Sequence, residues 1–172
     1  MPYKSPYEAY PFLADDSDDL RCDFELLTDL ITSEIGLLAA LAEDAETRTR
    51  LARLEELVYH ANPTLRTRLT LTAGELAWLA AETDALDRAT RAGRLPFVLP
   101  RGGVPACRAH VLRVYGKMAV RLLYRHAQGG HEVPDRLLDF FHLLSGYFHL
   151  LALRLNAQAG IEETAFISRN YG

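Results

Sequence analysis

From Leu20 onward the chain repeats apolar residues at steps of three and four: Leu20, Phe24, Leu27, Ile31, Ile35, Leu38 and Leu41. A helix turns about 100° per residue, so these positions share one face and predict a first helix from Leu20 to about Glu43. A second begins near Thr47 and runs to Asn62-Pro63, where the proline removes a backbone donor and stops it. Thr72-Ala73-Gly74-Glu75 has the spacing at which each side chain caps the other's backbone N–H. A third helix is therefore expected to start there and to end near Ala92. A fourth spans roughly Val104 to Ala127 and is closed by Gly129-Gly130. A fifth runs from Pro134 to about Gln158, before Gly160. No segment alternates with the period of a strand. Short connections favour antiparallel neighbours, so the expected fold class is all-α, a mostly antiparallel five-helix bundle. It divides into an irregular N-terminal arm (1–19), a single helical domain (20–160) and a tail (161–172) whose sequence IEETAFISRNYG has no clear period.

Length and composition narrow the function without naming it. The 172 residues suffice for one domain with a good core. A net charge of −4 offers no basic surplus, which argues against a nucleic-acid partner. The most apolar run, LLDFFHLLSGYFHLLAL, is interrupted by Asp139, His142 and His149. It reads as a central bundle helix and not as a membrane span. Met1-Pro2-Tyr3-Lys4 is not followed by an apolar stretch, so no signal peptide is expected. Cys22 and Cys107 have neither the number nor the spacing of a disulfide framework or zinc knuckle, and they suit a reducing cytoplasm. The arm, rich in proline, tyrosine and aspartate, is expected to pack on the surface or on a neighbouring subunit.

Candidate chemistry concentrates on the last two helices and the loop before them. On the fourth helix His110, Arg113, Lys117, Arg121 and Arg125 fall within an arc of about 120°. That arc reads as a solvated face, an anion site or a charged subunit interface. On the fifth, Asp135, Asp139, His142, Gly146, His149 and Asn156, with Ser145 beside them, form a polar stripe on an otherwise leucine-rich and aromatic helix. Polar groups buried there must find partners. His142 and His149 are seven apart, with no HxxxH spacing, and read as interior or interface histidines; no metal site is expected. The loop FVLPRGG, Phe97 to Gly103, could bare backbone N–H groups to an anion at a helix start. By itself a Gly-Gly at a helix entry is a weak signal, explained for the most part by turn geometry.

Taken together, these segments resemble the PduO-type ATP:cob(I)alamin adenosyltransferases. FVLPRGG is similar to the family's F-I-L-P-G-G-type loop. His110 and Arg113 fall where the family has the histidine and first arginine of its H-x-x-R-x-x-x-R-R-x-E-R run. TDLITSEIG, Thr28 to Gly36, resembles V-D-E-L-N-S-x-L-G and keeps Asp29, Ser33 and Gly36. FFHLLSGYFHLLA, Phe140 to Ala152, resembles L-N-R-L-S-D-x-L-F-x-L-A. The resemblance implies a five-helix bundle that forms a homotrimer. It also implies ATP and a corrinoid bound between subunits, with the adenosyl group passed to cobalt and triphosphate released. It implies that Asp29 and Arg113 form an intersubunit salt bridge, and that Phe97 packs beneath the corrinoid.

The departures from that pattern are specific. The family's N-terminal nucleotide loop, T-[RK]-x-G-D-x-G, has no counterpart in the first twenty residues. Lys117 and Met118 replace the paired arginines and Val120 the glutamate, while Arg121 keeps the final arginine. His142, Leu143 and Gly146 stand at the family's asparagine, arginine and aspartate. Exchanging arginine for methionine or leucine removes a charge and a bidentate fork that a polyanion needs. Three readings follow. The leading one is a protein that binds cobalamin, another corrinoid or a similar planar ligand in an intersubunit cleft through Phe97, His142, Ser145 and His149, with adenosyl transfer lost or weakened. It would act as a carrier, a sensor or a partner of a cobalamin-dependent enzyme. The second is an active, divergent transferase whose Mg-ATP site is rebuilt from Lys4, Arg101, Lys117 and Arg121. The third is a non-binding structural scaffold.

Overall fold

A computed structural model describes residues 3–170; the outermost residues of the expected arm and tail, 1–2 and 171–172, lie outside the described residues. Five helices follow one another: α1 (Leu20–Leu41), α2 (Ala45–Ala61), α3 (Ala73–Thr90), α4 (Val104–Gln128) and α5 (Asp135–Gln158). Their ends sit where local chemistry puts them. The Asp44 carboxylate accepts from Thr47 N at 2.7 Å and opens α2. Thr72 and Glu75 form the reciprocal cap at the start of α3, with Glu75 N donating to Thr72 Oγ1 at 3.2 Å and Thr72 N to Glu75 Oε2 at 2.7 Å. Pro105 occupies the first turn of α4, where its missing N–H costs nothing.

The helices pack as two hairpins joined side by side. α1 lies against α2, α4 against α5, α1 against α4, and α3 against the far side of α5. The 91–103 connection must therefore cross from α3 past α5 to reach α4. Phe24, Ile31, Leu54, Leu112, Phe141 and Phe148 fill the centre, all fully buried. Phe24 and Phe141 meet edge to face at 5.6 Å across the α1–α5 contact, the arrangement that ring quadrupoles favour.

α4 and α5 approach most closely at Gly116, where a Cβ would lie 3.1 Å from the Ser145 Cβ and 3.2 Å from its backbone. A larger residue must part the two helices. Gly116→Leu is therefore expected to cost about 2 kcal/mol, the overpacking penalty, measurable by urea unfolding.

Two segments without regular structure are tied down. The arm is held on its own chain, through Arg66 of the α2–α3 connector, which bonds Asp15 and Glu25 and lies 3.6 Å over the Phe12 ring. The tail, aperiodic in sequence, makes a short antiparallel bridge with the loop at Val98 and Ala165. Leu99 N donates to Thr164 O at 2.9 Å and Phe166 N to Phe97 O at 3.0 Å. This isolated pairing of two short extended segments has no alternating pattern that would announce it.

Candidate functional site

The 91–103 crossing is shaped by one side chain. Asn156, on the last turn of α5 and 1% exposed, takes Gly103 N–H on its Oδ1 at 3.1 Å. Its Nδ2 donates to Arg101 O at 3.0 Å and to Glu163 Oε1 at 2.9 Å. Its own carbonyl accepts from Ile161 N. Gly102 sits between these bonds at φ +136°, and a Cβ there would fall 2.0 Å from Asn156 Oδ1, so only glycine fits. The loop's glycines thus serve a clasp to α5. Asn156 and the tail together fix where Phe97 stands.

Phe97 is held outward, 69% exposed. It is not part of the protomer's core. Leaving most of a phenylalanine in water forgoes roughly 1–2 kcal/mol of burial. Beneath it lies a pocket of about 340 Å³. Leu95, Pro96, Val98 and Leu153 form its apolar lip, and His110, Arg113, Lys117, Ser145, Gly146 and His149 its polar floor. α4 contributes 110, 113 and 117 from successive turns of one face, and α5 contributes 145, 146 and 149.

The floor is chemically unspent. Among the described residues, four buried side-chain nitrogens here have no hydrogen-bond partner: His110 Nδ1 and Nε2, Arg113 Nε and His149 Nδ1. Native interiors leave few such atoms. The two imidazoles stand 6.3 Å apart, centroid to centroid. Burial, then the Arg113 charge and the His149 ring, push His110 down to about 4. Burial, then Arg113, Arg94 and Lys117, lower His149 as well. Both rings are thus neutral near pH 7, each with a lone pair and one N–H to offer.

His110 makes the pocket's cost visible. Its folded value lies below the 6.5 of a free imidazole, so the unfolded chain takes up the proton first as pH falls. The stability at neutral pH is lost as pH drops from about 6.5 toward 4. His110→Phe is expected to flatten that slope and to raise stability by about 1 kcal/mol, because it removes two unsatisfied nitrogens. Urea unfolding at pH 5 and pH 7.5 measures both effects.

The other candidates fall elsewhere. Arg101 is exposed, and its carbonyl is held by Asn156. Arg121 and His142 are exposed and line no part of this pocket; the His142 ring lies 6.3 Å from that of Tyr124. Asp29 is exposed on α1, where its carboxylate accepts from the Tyr59 hydroxyl at 3.3 Å. Among the described residues no ion pair joins Asp29 to Arg113 within the protomer. Ser145 donates to Arg113 O at 2.9 Å and so braces the floor. No group of three or more histidine, cysteine or acidic side chains among the described residues could hold a bare metal ion. Two features escaped sequence reasoning: the clasp role of Asn156, visible only as a lone amide in an apolar helix, and the apolar lip at Leu95 and Leu153.

Comparison with known proteins gives one consistent result. A family model described as cobalamin adenosyltransferase matches residues 16–155. Among solved structures, a phenylalanine-to-alanine variant of the PduO-type ATP:corrinoid adenosyltransferase from Lactobacillus reuteri, complexed with cobalamin and ATP, superposes with a TM-score of 0.76 at 19% identity, covering 87% of each chain. A phenylalanine-to-histidine variant of the same protein with the same ligands gives 0.75 at 19% identity, covering 95% of this chain and 97% of the other. An arginine-to-lysine variant complexed with ATP gives 0.76 at 20% identity, over 87% and 88%. No curated protein matches the chain in sequence.

Proposed function

Because the chain belongs to the cobalamin adenosyltransferase family, we propose that it binds a corrinoid in a cleft between subunits of a homotrimer, with ATP-dependent adenosyl transfer weakened. The observation that carries this reading is the outward Phe97 over a pocket whose His110, Arg113 and His149 nitrogens are buried and unpartnered. Those residues fit a flat, partly apolar ligand with hydrogen-bonding groups at its rim. At about 340 Å³ the pocket takes only one edge of a macrocycle. A neighbouring protomer supplies the rest of the enclosure. Exposed Leu26, Leu30 and Leu37 on α1, and Val114, Met118 and Tyr124 on α4, offer apolar contact surface for that neighbour. In this reading Asp29 and Arg113, unpaired with each other within the protomer, join across it.

Weakened transfer is inferred from what the nucleotide side lacks. Met118, Val120, Leu143 and Gly146 stand where the resembling family carries arginine, glutamate, arginine and aspartate. The arm, committed to Arg66, has no glycine-rich nucleotide loop. Arg113 and Lys117 keep two cations beside the pocket, the observation that favours an active enzyme instead. An anaerobic assay with cob(I)alamin and Mg-ATP decides. The proposal expects adenosylcobalamin to form roughly a hundredfold or more slowly than with a fully equipped member of the family, the scale of losing one charge-stabilising contact. A rate equal to that enzyme's would overturn the weakened-transfer reading. A corrinoid so held would be passed on to, or sensed for, a cobalamin-dependent enzyme.

A further inference from the structure

The pocket beneath Phe97 is one-sided in charge as well as in shape. Arg113 and Lys117 line it and no acidic side chain does. Among the described residues neither cation belongs to an ion pair. A second pocket, of about 470 Å³, opens on the face made by the arm, α1 and α2, and no residue lines both. Its character is the reverse. Glu25 and Asp29 line it with the rings of Tyr10 and Tyr59, and no cation does. Glu25 is spent on Arg66, so Asp29 is the charge that this pocket presents. The Tyr59 hydroxyl donates to that carboxylate at 3.3 Å, which ties the ring beside it. The ring itself is 58% exposed and, like Phe97, is not part of its own protomer's core.

Two unlike faces of opposite charge join copies of a chain head to tail, the arrangement that closes into a ring. The apolar surroundings match as well. Leu26 and Leu30 stand exposed within one turn of Asp29, and exposed Val114 and Met118 directly follow Arg113 and Lys117. We propose that the second pocket is the opposite wall of the ligand cleft. Tyr59 of one protomer lays its ring against the corrinoid whose edge sits beneath Phe97 of the next. The assignment rests on the corrinoid and trimer readings above. It supplies the room that the first pocket lacks, since about 340 Å³ takes only one edge of a macrocycle. An exposed ring that gains cover only from a flat ligand also recovers the burial it forgoes in the free protomer.

Titration with cob(II)alamin, followed by absorbance, reads the contact. Tyr59→Ala is expected to weaken binding about tenfold, with the trimer intact by sedimentation. Tyr59→Phe restores the ring without the hydroxyl and should recover most of that loss. Tyr7→Ala, on the arm but outside the pocket, should leave the affinity unchanged. If Tyr59→Phe is as weak as Tyr59→Ala, the residue acts through Asp29 and the assignment falls. Mixed trimers then decide which protomer the ring serves. Subunits carrying Phe97→Arg and subunits carrying Tyr59→Ala, co-expressed with different tags and purified through both, form trimers in which about one cleft in three joins an intact Phe97 to an intact Tyr59. One site of wild-type affinity per mixed trimer is the expected result. No such site overturns the assignment while the corrinoid reading stands. Failure of the wild type to bind cob(II)alamin overturns both. Should Tyr59→Ala not assemble, Ala9→Trp, at an exposed position of the arm that lines the same pocket, takes its place. It is expected to narrow the cleft and weaken binding, and an unchanged affinity overturns the assignment.

Discussion

Asn156→Leu is expected to lower stability by about 3 kcal/mol and to free the segment that presents Phe97. The size follows from what one amide holds. Its two polar atoms satisfy Gly103 N, Arg101 O and Glu163 Oε1, three groups from two separate segments. Leucine has the same branched skeleton and none of these bonds, and its bulkier methyl groups add a steric cost beside Gly102. Each stranded group costs about 1–3 kcal/mol when buried, and the partly buried loop groups recover some of that from water. In thermal unfolding the change corresponds to a fall of roughly 6–12 °C. Gly102→Ala reports on the same clasp from the other side. Its methyl would collide with the Asn156 amide at a backbone angle that alanine seldom adopts. The two substitutions should be strongly non-additive, because either alone opens the same contact. A loss below about 1 kcal/mol for Asn156→Leu would show that the crossing is held by something else.

Arg66→Met is expected to be more damaging still, by about 3–5 kcal/mol, although it lies far from the pocket. Glu25 is 5% exposed, and both its oxygens are taken by the Arg66 guanidinium, at 2.8 Å and 2.9 Å. The same guanidinium bonds Asp15 at 3.0 Å and covers Phe12. Methionine keeps the stem and removes the charge, so a buried carboxylate is left without its cation. The arm loses its anchor at the same time and is expected to become sensitive to protease between Tyr3 and Asp19. Arg66→Met combined with Glu25→Gln should recover much of the loss, since the buried charge is then gone. Urea unfolding of both variants separates the unpaired charge from the lost packing. If the double variant is no more stable than the single one, the unpaired carboxylate is not the cause.

The helices were legible because their signals are local. Apolar steps of three and four, the proline after α2, the glycines after α4 and α5 and the Thr72–Glu75 cap sit within one or two turns of what they determine. The clasp and the tail bridge join residues about fifty or more apart, as in Gly103–Asn156 and Leu99–Thr164. Nothing in the local pattern of the tail foretells its partner. The arc from His110 to Arg125 shows the same limit within a single helix. By angle all five residues share a face, yet His110 is buried, Arg113 half-buried and Lys117 exposed. That gradient is set by the crossing loop, which covers only the first turns of α4. The α5 stripe divides for the same reason: Ser145 and Asn156 are spent on backbone groups, His149 faces the pocket, and Asp135, Asp139 and His142 meet water.

The central claim is that the pocket beneath Phe97 receives a corrinoid. Its most direct test is an absorbance titration of cob(II)alamin with the purified wild-type protein and with Phe97→Arg, which puts a third cation at the mouth of the pocket in place of an exposed ring. The account predicts a saturable spectral change with the wild type, one corrinoid per pocket, weakened at least tenfold in the variant while its helical content is unchanged. A wild-type titration with no spectral change at any corrinoid concentration would contradict it.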